Sequence, residues 1–521
     1  MSSIVRSFAI DPLISNARRH GRDVLLEPEA AVLLEILGVR LPRQIHVTDP
    51  AHNLRAAAEA FTSMKGERVV LKIVSPTILH KSDIGGVRFV PREPDRIADA
   101  LDQMQEDFAE ADLEGILISE CFEHDLAPGG ELLLGFRWTA DFGPVVSFGP
   151  GGVTTEFMTR NIRASREIAI FSPELTPPEQ IERILGECAI TPLVTGGVRR
   201  QRQRMAARDL VALIQRFLSF AAEYCPSPFS ELEINPLIPT ESGPVALDAL
   251  VRLSAPDEVV APAPRPIEKI GRLLRPGSIA IAGVSKAMNP GHVIVRNLLD
   301  EGFDPAHIHV IKPAETEIDG CGCVPDVESL PERADLLVLS IAADQVPDTI
   351  ERVVNARAAE SVIVIPGGLG ERHGSESLEQ HIRTTLANSR KSTWGGPVVN
   401  GGNCLGVQSR PGKVNTVFLP RYKLEEPRGV EPVEAPLALV SQSGALSVAL
   451  ATELGGIVPR YLVSIGNQVD LTVGDYLRFL EGDGSVEVFA FYVEGFRPMD
   501  GLEWMQAAAR IVKQGRPVIL Y

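Results

Sequence analysis

The segment from Val69 to Val87, VVLKIVSPTILHKSDIGGV, constrains the fold of this chain more than any other stretch. It begins with a short apolar run, which predicts a buried β-strand, and Lys72 interrupts that run. A lysine on a buried strand is costly unless it meets an anion. The pair Gly85-Gly86 follows in a loop, where glycines let backbone N–H groups come close to a phosphate. The pattern fits a phosphate-binding strand and loop, and it also fits a buried strand whose lysine reaches solvent before an ordinary turn.

The residues KIVSPTILHKSDIGGV within this segment resemble the signature of the ATP-grasp domain of NDP-forming acyl-CoA synthetases, which are relatives of succinyl-CoA synthetase. The resemblance implies that Lys72 lies on the phosphates of a bound nucleotide, with Lys81 beside it and Gly85-Gly86 over the phosphates. It also implies that His80 carries a phosphoryl group, whereas an isolated histidine is by default a structural or surface residue. We therefore expect ATP as a cofactor.

Length and composition indicate a globular chain of several domains. The chain has 521 residues, enough for about three or four domains, and 44% of them are apolar. The net charge of −17 argues against a nucleic-acid partner and against an anionic membrane surface. The start has no apolar region of the signal-peptide type, and no apolar run reaches transmembrane length. Only two of the six cysteines, Cys321 and Cys323, are close in sequence, and this pair alone is weak evidence for a metal site. Because the cysteines are scattered, we expect a reduced, cytoplasmic protein.

Apolar periodicity predicts the elements of the first part of the chain. Residues 1–24 contain several arginines and predict a loosely held extension. Helices are predicted over Glu27–Leu37, 51–63 and Glu93–Glu110. Strands are predicted over Ile116–Cys121, Glu131–Gly135, Gly143–Phe148, Glu231–Leu237 and Val245–Leu250, with a tight turn at 149–152.

Two side chains with oxygen ligands lie on the last two of these strands. Asn235 and Asp248 are separated by a hairpin-like loop, so they can face one site. Such ligands suit Mg²⁺, which takes few protein ligands and completes its shell with phosphate and water. Alternatively, Asn235 is a turn former and Asp248 a surface residue. The residues ELEINPL and VALDA resemble the metal-binding end of the ATP-grasp domain, which implies that both side chains bind Mg²⁺.

The block FGPVVSFGPGGVTTE, with Glu131 before it, resembles the same domain. By that resemblance Glu131 belongs to the nucleotide site, Glu120 lies in the adenine-side hinge, and Glu156 lies near the metal and the phosphates. The chain departs from the family pattern at Arg160, where the family usually has an acidic residue, and at Leu250, where it usually has arginine.

A second α/β pattern begins after residues 254–265, which are rich in proline and alanine and predict a linker. The strand Ser278–Ala282, the turn at 283–285 and a helix beginning at Pro290 together predict an anion site. The spacing is not that of the GxGxxG fingerprint, which disfavours an NAD-dependent dehydrogenase. The residues GVSKAMNPGHVIVRNLLDEGF resemble the CoA-binding domain of the synthetase family. The resemblance implies that CoA contacts a set of residues at this loop and at a later one, namely Gly283, Ser285, Pro290, Gly291 and Asn403.

A third α/β pattern begins near residue 407. The strand Leu437–Val440 precedes Ser443 and Gly444, which lie at the start of a predicted helix, where free N–H groups favour a phosphate. An ordinary serine N-cap would give the same pattern. SQSGALS resembles the family helix that receives a phosphohistidine, and Glu494 matches the carboxylate that orients this histidine. The family carries that histidine in a segment after the strand that GRPVILY resembles, and His381 is the last histidine in this sequence.

The sequence as a whole predicts an α/β protein of three modules. They are an ATP-grasp domain over residues 1–255, a Rossmann-like CoA-binding domain over 265–405 and an incomplete flavodoxin-like ligase domain over 406–521. The resemblance implies an ADP-forming acid–CoA ligase that uses ATP, Mg²⁺, CoA and a small carboxylic acid through phosphohistidine and acyl-phosphate intermediates. The alternative is a non-catalytic ATP- and CoA-binding fragment or degenerate relative. We also expect an oligomer, or a partner chain or longer product that supplies the catalytic histidine.

Overall fold

The computed structural model describes residues 3–78, 81–152, 155–163, 165–255, 264–420 and 433–521. The chain divides into two compact units, a first unit over Met1–Val260 and a second unit over Ala261–Tyr521. Among the described helices, none is both long enough and apolar enough to cross a lipid bilayer.

The first unit combines helices with two antiparallel sheets. Its helices are α1 (Ser3–Arg19), α2 (Glu27–Ile36), α3 (Asn53–Ser63), α4 (Pro94–Asp107), α5 (Thr155–Asn161), α6 (Ile181–Glu187), α7 (Thr191–Thr195) and α8 (Ala207–Tyr224). Its strands are β1 (Gln44–Val47), β2 (Arg68–Val74), β3 (Val87–Pro91), β4 (Gly115–Glu120), β5 (Leu132–Thr139), β6 (Gly143–Pro150), β7 (Ala169–Phe171), β8 (Phe229–Ile238), β9 (Val245–Ala246) and β10 (Ala249–Leu253).

Each sheet of the first unit has its own core. The smaller sheet has the order β1-β4-β2-β3, and its core is filled from α3 and α4 by side chains such as Ala57 and Leu101. The larger sheet has the order β10-β8-β5-β6-β7, with β9 beside β8, and Phe217 and Phe220 of α8 belong to its core. The apolar periodicity of α8 matches the helical repeat, which explains why one face of this helix is buried.

The beginning of the chain differs from the expectation of a loose extension. The structure shows the helix α1, in which Ile10 and Ala17 are only 1% and 0% exposed. These two residues lie about two turns apart on one helix face, and they join the core that contains Leu33 of α2. The several arginines of this stretch obscured a narrow apolar stripe. The predicted turn at 149–152 is also shorter than expected, because β6 continues to Pro150.

The second unit alternates strands and helices. Its helices are α9 (Ile270–Leu274), α10 (Pro290–Asp300), α11 (Val346–Ala356), α12 (Glu376–Ser389), α13 (Gly444–Glu453), α14 (Val473–Glu481) and α15 (Asp500–Lys513). Its strands are β11 (Ile279–Ala282), β12 (Ile308–Ile311), β13 (Glu317–Ile318), β14 (Cys321–Val324), β15 (Ala334–Leu339), β16 (Ala359–Val364), β17 (Val398–Gly401), β18 (Val407–Ser409), β19 (Val414–Asn415), β20 (Val433–Ser441), β21 (Ile457–Ser464), β22 (Val488–Tyr492) and β23 (Val518–Leu520).

Both sheets of the second unit are mainly parallel. The first has the order β13-β14-β12-β11-β15-β16-β17 and is parallel except for β13. The second has the order β19-β18-β21-β20-β22-β23, in which β21, β20, β22 and β23 are parallel. The predicted α/β class is therefore confirmed. In such sheets, ligands bind beyond the carboxyl ends of the strands, where the strand order reverses.

The two sheets of the second unit share one hydrophobic core. That core includes Ile281 of β11 together with Val440 of β20 and Tyr476 of α14. The Tyr476 hydroxyl donates to Asn400 Oδ1 at 2.9 Å, and both side chains are buried. Residues 265–405 and 406–521 therefore form one compact body, which holds the loops of the two sheets in fixed positions.

Candidate functional site

A buried carboxylate in the first unit, that of Glu27, is shared by two lysines. Glu27 begins α2, and the Nζ atoms of Lys72 and Lys81 lie 2.6 Å from its Oε1 and Oε2 atoms. Burial raises the pKa of Glu27, but the charges of the two lysines outweigh burial and hold that pKa below its usual value. These three side chains together provide one more cationic than anionic group, and an ionised Asp248, 3.7 Å from Lys81, would balance that excess. Sequence analysis treated Glu27 only as a helix start and missed this contact.

A cavity of about 220 Å³ opens beside this cluster. Its wall includes Glu27, Lys81, Asn235 and Asp248, so three predicted site residues share one cavity. Lys81 Nζ lies 3.7 Å from Asp248 Oδ1. Burial and the negative charge of Glu27 raise the pKa of Asp248. Burial lowers the pKa of Lys81, but Glu27 and Asp248 outweigh burial and raise that pKa overall. Lys81 thus keeps its charge at the cavity wall.

Lys72 lies behind this cavity and is not one of its lining residues. Its ammonium group donates to Glu27 and to the carbonyl of Leu247, the residue before Asp248. It therefore joins β2, α2 and the strand end that carries Asp248. In this arrangement Lys72 supports the groups at the cavity wall, and Lys81 is the lysine that lines the cavity.

Glu131 belongs to a second polar cluster with His124, a residue that sequence analysis did not single out. His124 Nε2 lies 2.9 Å from Glu131 Oε1, and Nδ1 lies 3.0 Å from the carbonyl oxygen of Phe122. Glu131 Oε2 is buried with no hydrogen-bond partner among the described residues. Asn235 connects this cluster to the cavity, because its Oδ1 accepts from the N–H of Gly152 at 2.8 Å, next to Glu131. A buried, unpaired carboxylate oxygen of this kind fits a ligand donor or a cation.

The loop that contains Gly85 and Gly86 is closed by its own backbone. The N–H of Gly85 donates to the carbonyl of Ser82 at 3.3 Å, and the N–H of Gly86 donates to that of Lys81 at 2.8 Å. The carbonyl of Gly86 accepts from the N–H of Ile73 in β2 at 3.0 Å. Both glycine amides are thus used within the loop, where they position Lys81 against the end of β2.

For three further predicted residues, the structure describes no contact in the nucleotide cavity, within the part of the chain that it covers. His80 lies outside the described residues, and so does the side chain of Glu156, whose backbone belongs to α5. Glu120 ends β4, where its N–H donates to the carbonyl of Arg43 at 2.8 Å. Their roles stay predictions.

The described residues fit Mg²⁺ only together with a phosphate ligand. Within the described part of the chain, no three His, Cys, Asp or Glu side chains form a group that could hold a metal ion. Mg²⁺ is usually held by one or two carboxylates, with phosphate and water oxygens completing the shell. Asp248 and the second lone pair of the Asn235 amide oxygen provide such a partial donor set at the cavity wall.

A larger cavity, of about 660 Å³, lies within the second unit. Carboxyl ends of strands from both parallel sheets border it. The lining residues include Pro290, Ser340, Gly367, Asn403, Ser443 and Glu494. Pro290 and Asn403 were predicted to bind CoA, and Ser443 with Gly444 and Glu494 was predicted to bind the phosphohistidine. The structure therefore brings two of the five predicted CoA residues into one cavity with the predicted phosphohistidine residues.

Backbone packing explains the glycines that precede this cavity. At Gly283, whose φ is +89°, a Cβ atom would lie 2.0 Å from the carbonyl oxygen of Ser340. At Gly291, a Cβ atom would lie 2.6 Å from the carbonyl oxygen of Gly283. The side chain of Asn289 caps α10 and accepts from the N–H of Ser285 at 3.1 Å. Gly283, Ser285 and Gly291 therefore shape the loop beneath Pro290 and do not themselves line the cavity.

The helix α13 also begins at this cavity. Ser443 caps it, with Oγ accepting from the N–H of Leu446 at 3.3 Å. Gln442, which sequence analysis did not single out, fixes the end of β22 because its Oε1 accepts from the N–H groups of Glu494 and Gly495 at 2.9 and 3.2 Å. The backbone of Glu494 and the start of α13 are thus held at one cavity. This arrangement can receive a phosphate at the helix N-terminus and a hydrogen-bond donor at the carboxylate.

Glu371 ties the loops of the two sheets together, a role that sequence analysis missed. Its carboxylate accepts from the N–H groups of Gly368 and Leu369 and, at 2.8 Å, from the side-chain amide of Asn467. Burial raises the pKa of Glu371, but these donors hold it below its usual value. Nothing in the local spacing signals this contact, because Glu371 and Asn467 are far apart in sequence.

Three protein-family profiles match consecutive parts of the chain. They describe an ATP-grasp domain over residues 16–253, a CoA-binding domain over 277–410 and a succinyl-CoA ligase-like flavodoxin domain over 434–521. Their order is the one predicted from the sequence.

Relatives of known name agree with these profiles. The chain is 24% identical over 484 residues to acetate–CoA ligase [ADP-forming] II of Archaeoglobus fulgidus, which covers 91% of this chain and 64% of that protein. It is 32% identical over 256 residues to the alpha subunit of acetate–CoA ligase [ADP-forming] I of Pyrococcus furiosus, covering 48% of this chain and 51% of that subunit.

Solved structures include an acetyl-coenzyme A synthetase of Korarchaeum cryptofilum in complex with phosphate and ADP, at 31% identity and a TM-score of 0.41, covering 48% of this chain and 51% of that one. This chain spans less than two thirds of the length of the first curated relatives that it matches. The chain therefore has an ATP-grasp, a CoA-binding and a succinyl-CoA ligase-like domain in this order, and it is similar to proteins named ADP-forming acetate–CoA ligases.

Proposed function

We propose that this chain carries the nucleotide-binding and CoA-binding sites of an ADP-forming acid–CoA ligase. The observation that supports this most is the cavity of about 660 Å³, where the predicted CoA residues Pro290 and Asn403 meet the predicted phosphate residues Ser443 and Gly444. A ligase of this class needs these two groups within reach of each other, because the CoA sulfur must attack the acyl phosphate. The proposed nucleotide cavity in the first unit would bind the ATP that provides the phosphoryl group.

At the nucleotide cavity, Lys81 is the proposed phosphate-binding cation and Lys72 the group that holds Glu27 in place. Asp248 and Asn235 would hold Mg²⁺ together with the phosphates, and Glu156 is proposed to lie nearby. When bound, Mg²⁺ neutralises the charge of the nucleotide phosphates. The net positive charge of Lys72, Lys81 and Glu27 then favours the binding of ATP over the binding of uncharged ligands.

The proposed chemistry proceeds by group transfer through histidine. An imidazole nitrogen is a good nucleophile near neutral pH and a good leaving group once phosphorylated. The terminal phosphoryl group moves from ATP to histidine, with His80 as one carrier, and ADP leaves. A carboxylate oxygen of the acid then attacks phosphorus as the N–P bond breaks. The CoA sulfur attacks the acyl carbon, and phosphate leaves with the C–O bond electrons.

The second-unit residues have distinct proposed tasks in this sequence. The N–H groups at the start of α13, at Ser443 and Gly444, would stabilise the negative charge on the transferred phosphate. Glu494 would accept from the ring N–H of the histidine and orient its other nitrogen toward phosphorus. Asn403 would contact CoA on the other side of the same cavity.

We further propose that a partner chain, or a longer product, supplies a histidine to Ser443, Gly444 and Glu494, and that the assembly is an oligomer. The support is that a relative from Pyrococcus furiosus is named as an alpha subunit, so the same activity is divided between chains there.

The test is a product assay on the natural full-length protein with its co-purifying chains. ATP, CoA and a panel of short and aromatic acids are supplied, and acyl-CoA and nucleotides are separated by chromatography. We expect ADP and acyl-CoA in equal amounts, each dependent on the acid. AMP in place of ADP would contradict the proposal, and so would nucleotide binding with no thioester for any acid, which would favour the non-catalytic alternative.

A further inference from the structure

The cavity of about 660 Å³ is lined in part by two large apolar side chains, those of Leu405 and Phe418. The N–H of Phe418 donates to the carbonyl of Leu405 at 3.3 Å, and the N–H of Thr416 donates to that of Val407 at 2.9 Å. These hydrogen bonds continue the antiparallel register of β18 and β19, so Leu405 and Phe418 lie opposite each other. Opposite side chains of an antiparallel pair share one face and are within reach of each other. Leu405 and Phe418 therefore form one apolar surface at the cavity wall.

The main chain on both sides of Phe418 is fixed by one buried side chain of α10. Asn297 is only 3% exposed, and its Nδ2 donates to the carbonyl of Val417 at 2.6 Å and to that of Leu419 at 3.3 Å. The N–H of Val417 also donates to Asn415 Oδ1 at 3.2 Å. Moving this segment would leave a buried amide without its acceptors, which is costly. The backbone that carries Phe418 is therefore held in place at the cavity.

The apolar surface borders the start of α13. A Cβ atom placed on Gly444 would lie 3.0 Å from Leu405 Cβ, so the side chain of Leu405 lies directly against the helix N-terminus. The N–H of Leu405 donates to Ser464 Oγ at 3.0 Å, and the same Oγ would lie 3.6 Å from a Cβ atom on Gly444. The proposed phosphate site at Ser443 and Gly444 thus has an apolar neighbour.

The described residues that line this cavity carry little charge. Glu494 is the only ionisable one among them apart from Cys404, and burial raises the pKa of the Cys404 thiol to about 12. No lysine or arginine belongs to the described lining residues. A carboxylate buried beside Leu405 and Phe418 would therefore lose its hydration without gaining a cation, which is costly. An apolar group would instead gain from leaving water.

We propose that Phe418 is a specificity-determining residue, which together with Leu405 contacts the side chain of the acyl group and selects monocarboxylic acids with an uncharged, apolar side chain. This rests on the proposed function. In an acyl phosphate, one oxygen atom separates the acyl carbon from phosphorus, so a phosphate held at Ser443 and Gly444 leaves the acyl group within reach of Leu405. After transfer to the CoA sulfur, the acyl group stays at the same apolar surface.

The experiment measures the affinity of the full chain for three ligands by calorimetry. They are CoA, its thioether S-butyl-CoA, and S-(3-carboxypropyl)-CoA, which adds the same number of carbon atoms but ends in a carboxylate. Thioethers are used because they do not hydrolyse as thioesters do. We expect S-butyl-CoA to bind about tenfold tighter than CoA, which is the gain from burying about two CH₂ groups. S-(3-carboxypropyl)-CoA should bind no tighter than CoA.

Two variants of Phe418 test the contact in opposite directions. In Phe418→Ala, the ratio of the dissociation constants for CoA and S-butyl-CoA should fall from about ten to about two, because most of the apolar contact is removed. In Phe418→Lys, the ligand that ends in a carboxylate should bind about tenfold tighter than S-butyl-CoA, because the ammonium group attracts it. A ratio measured on one preparation does not depend on the fraction of folded protein, so partial unfolding obscures neither result.

Phe479→Ala is the matched control for these variants. Phe479 is half-buried and packs against the same hydrophobic core as Phe418, but it does not line the cavity. In this variant the ratio should therefore stay at about ten.

The failure of this proposal differs from the failure of the proposed function. If the wild type binds CoA with a ratio of about one, or if Phe418→Ala has the wild-type ratio, the acyl contact is overturned and the CoA site stands. Equal affinity of the wild type for the two thioethers would overturn the selection against a second carboxylate. If the wild type binds none of the three ligands, the CoA assignment is overturned together with this proposal.

Discussion

At the scale of single residues, the balance of charge around Glu27 is the most informative feature of the first unit. One buried carboxylate faces two ammonium groups, those of Lys72 and Lys81. Removing one partner of a buried ion pair is far more costly than replacing the whole pair, because an uncompensated charge stays in a poorly solvated place. A nucleotide phosphate would bring its own negative charge to the cavity wall. The stability of this cluster should therefore depend on the ligand when Glu27 is altered.

We predict that Glu27→Gln lowers the free energy of unfolding by about 3 to 5 kcal/mol, because two buried lysines lose their shared carboxylate. Saturating Mg-ATP should raise the free energy of unfolding more in this variant than in the wild type, since bound phosphate compensates the positive charges of the two lysines. Thermal denaturation with and without Mg-ATP measures both effects.

Glu29→Gln is the matched control for that experiment. Glu29 lies on the same helix and pairs with Arg22 at 2.6 Å, away from the two lysines. This variant should also be less stable, yet its gain from Mg-ATP should equal that of the wild type. An equal gain in the two variants would show that Glu27 has no connection with the nucleotide site.

At the scale of elements, the start of α10 shows how one capping residue can serve both a helix and the loop that we propose binds CoA. Asn289 Oδ1 accepts from the N–H groups of His292 and Ser285, and Nδ2 donates to the carbonyl of Gly283. Asparagine and aspartate cap helices about equally well, but only asparagine can also donate. Substitution at this position can therefore separate helix stability from loop geometry.

We predict that Asn289→Asp keeps the helix cap but loses the hydrogen bond to the Gly283 carbonyl, which lowers the free energy of unfolding by about 1 to 3 kcal/mol. The same variant should weaken CoA binding about tenfold or more, because the Gly283 carbonyl loses its donor and a negative charge is added near the phosphates. Asn289→Ala should lose both the helix cap and the hydrogen bond to the Gly283 carbonyl. Urea unfolding and calorimetry with CoA give the two readouts, and unchanged affinity in Asn289→Asp would contradict the role of the loop.

Local pattern explains which elements could be predicted. The strands around Lys72 and Leu439 are apolar runs bounded by turn residues, and the structure contains both. The helix α1 escaped prediction because charged residues mask its narrow apolar stripe. The strands β18 and β19 are only 3 and 2 residues long, too short to show a period. Glu27 and Glu371 were missed for a different reason, since their partners lie far away in sequence and no local pattern encodes a long-range contact.

At the scale of the whole molecule, the second unit depends on polar groups buried between its helices. Asp500, at the start of α15, is only 2% exposed, and its Oδ1 accepts from the Thr472 hydroxyl and from the N–H of Gly474. Its Oδ2 is buried without a hydrogen-bond partner among the described residues. Asp475, 1% exposed, lies nearby and pairs with Arg265. Burial chiefly, with repulsion from Asp475, raises the pKa of Asp500 to about 7.

This pKa predicts how the stability of the second unit changes with pH. The unfolded chain releases the Asp500 proton near a pKa of about 3.9, whereas the folded chain keeps it to about 7. Between these values the folded state binds more protons, so the contribution of Asp500 to stability is greatest at low pH and is lost as pH rises to about 7. In Asp500→Asn, an uncharged amide takes the place of the carboxyl group, with Oδ1 still accepting from Thr472 and Gly474. We expect this variant to be more stable than the wild type at about pH 8, by about 2 to 4 kcal/mol, and to differ little at about pH 4. Urea unfolding followed by tryptophan fluorescence in a chain that keeps Trp504, one turn from Asp500 on α15, and replaces the other two tryptophans by phenylalanine measures the difference. A constant difference across this pH range would show that Asp500 is already ionised in the folded protein.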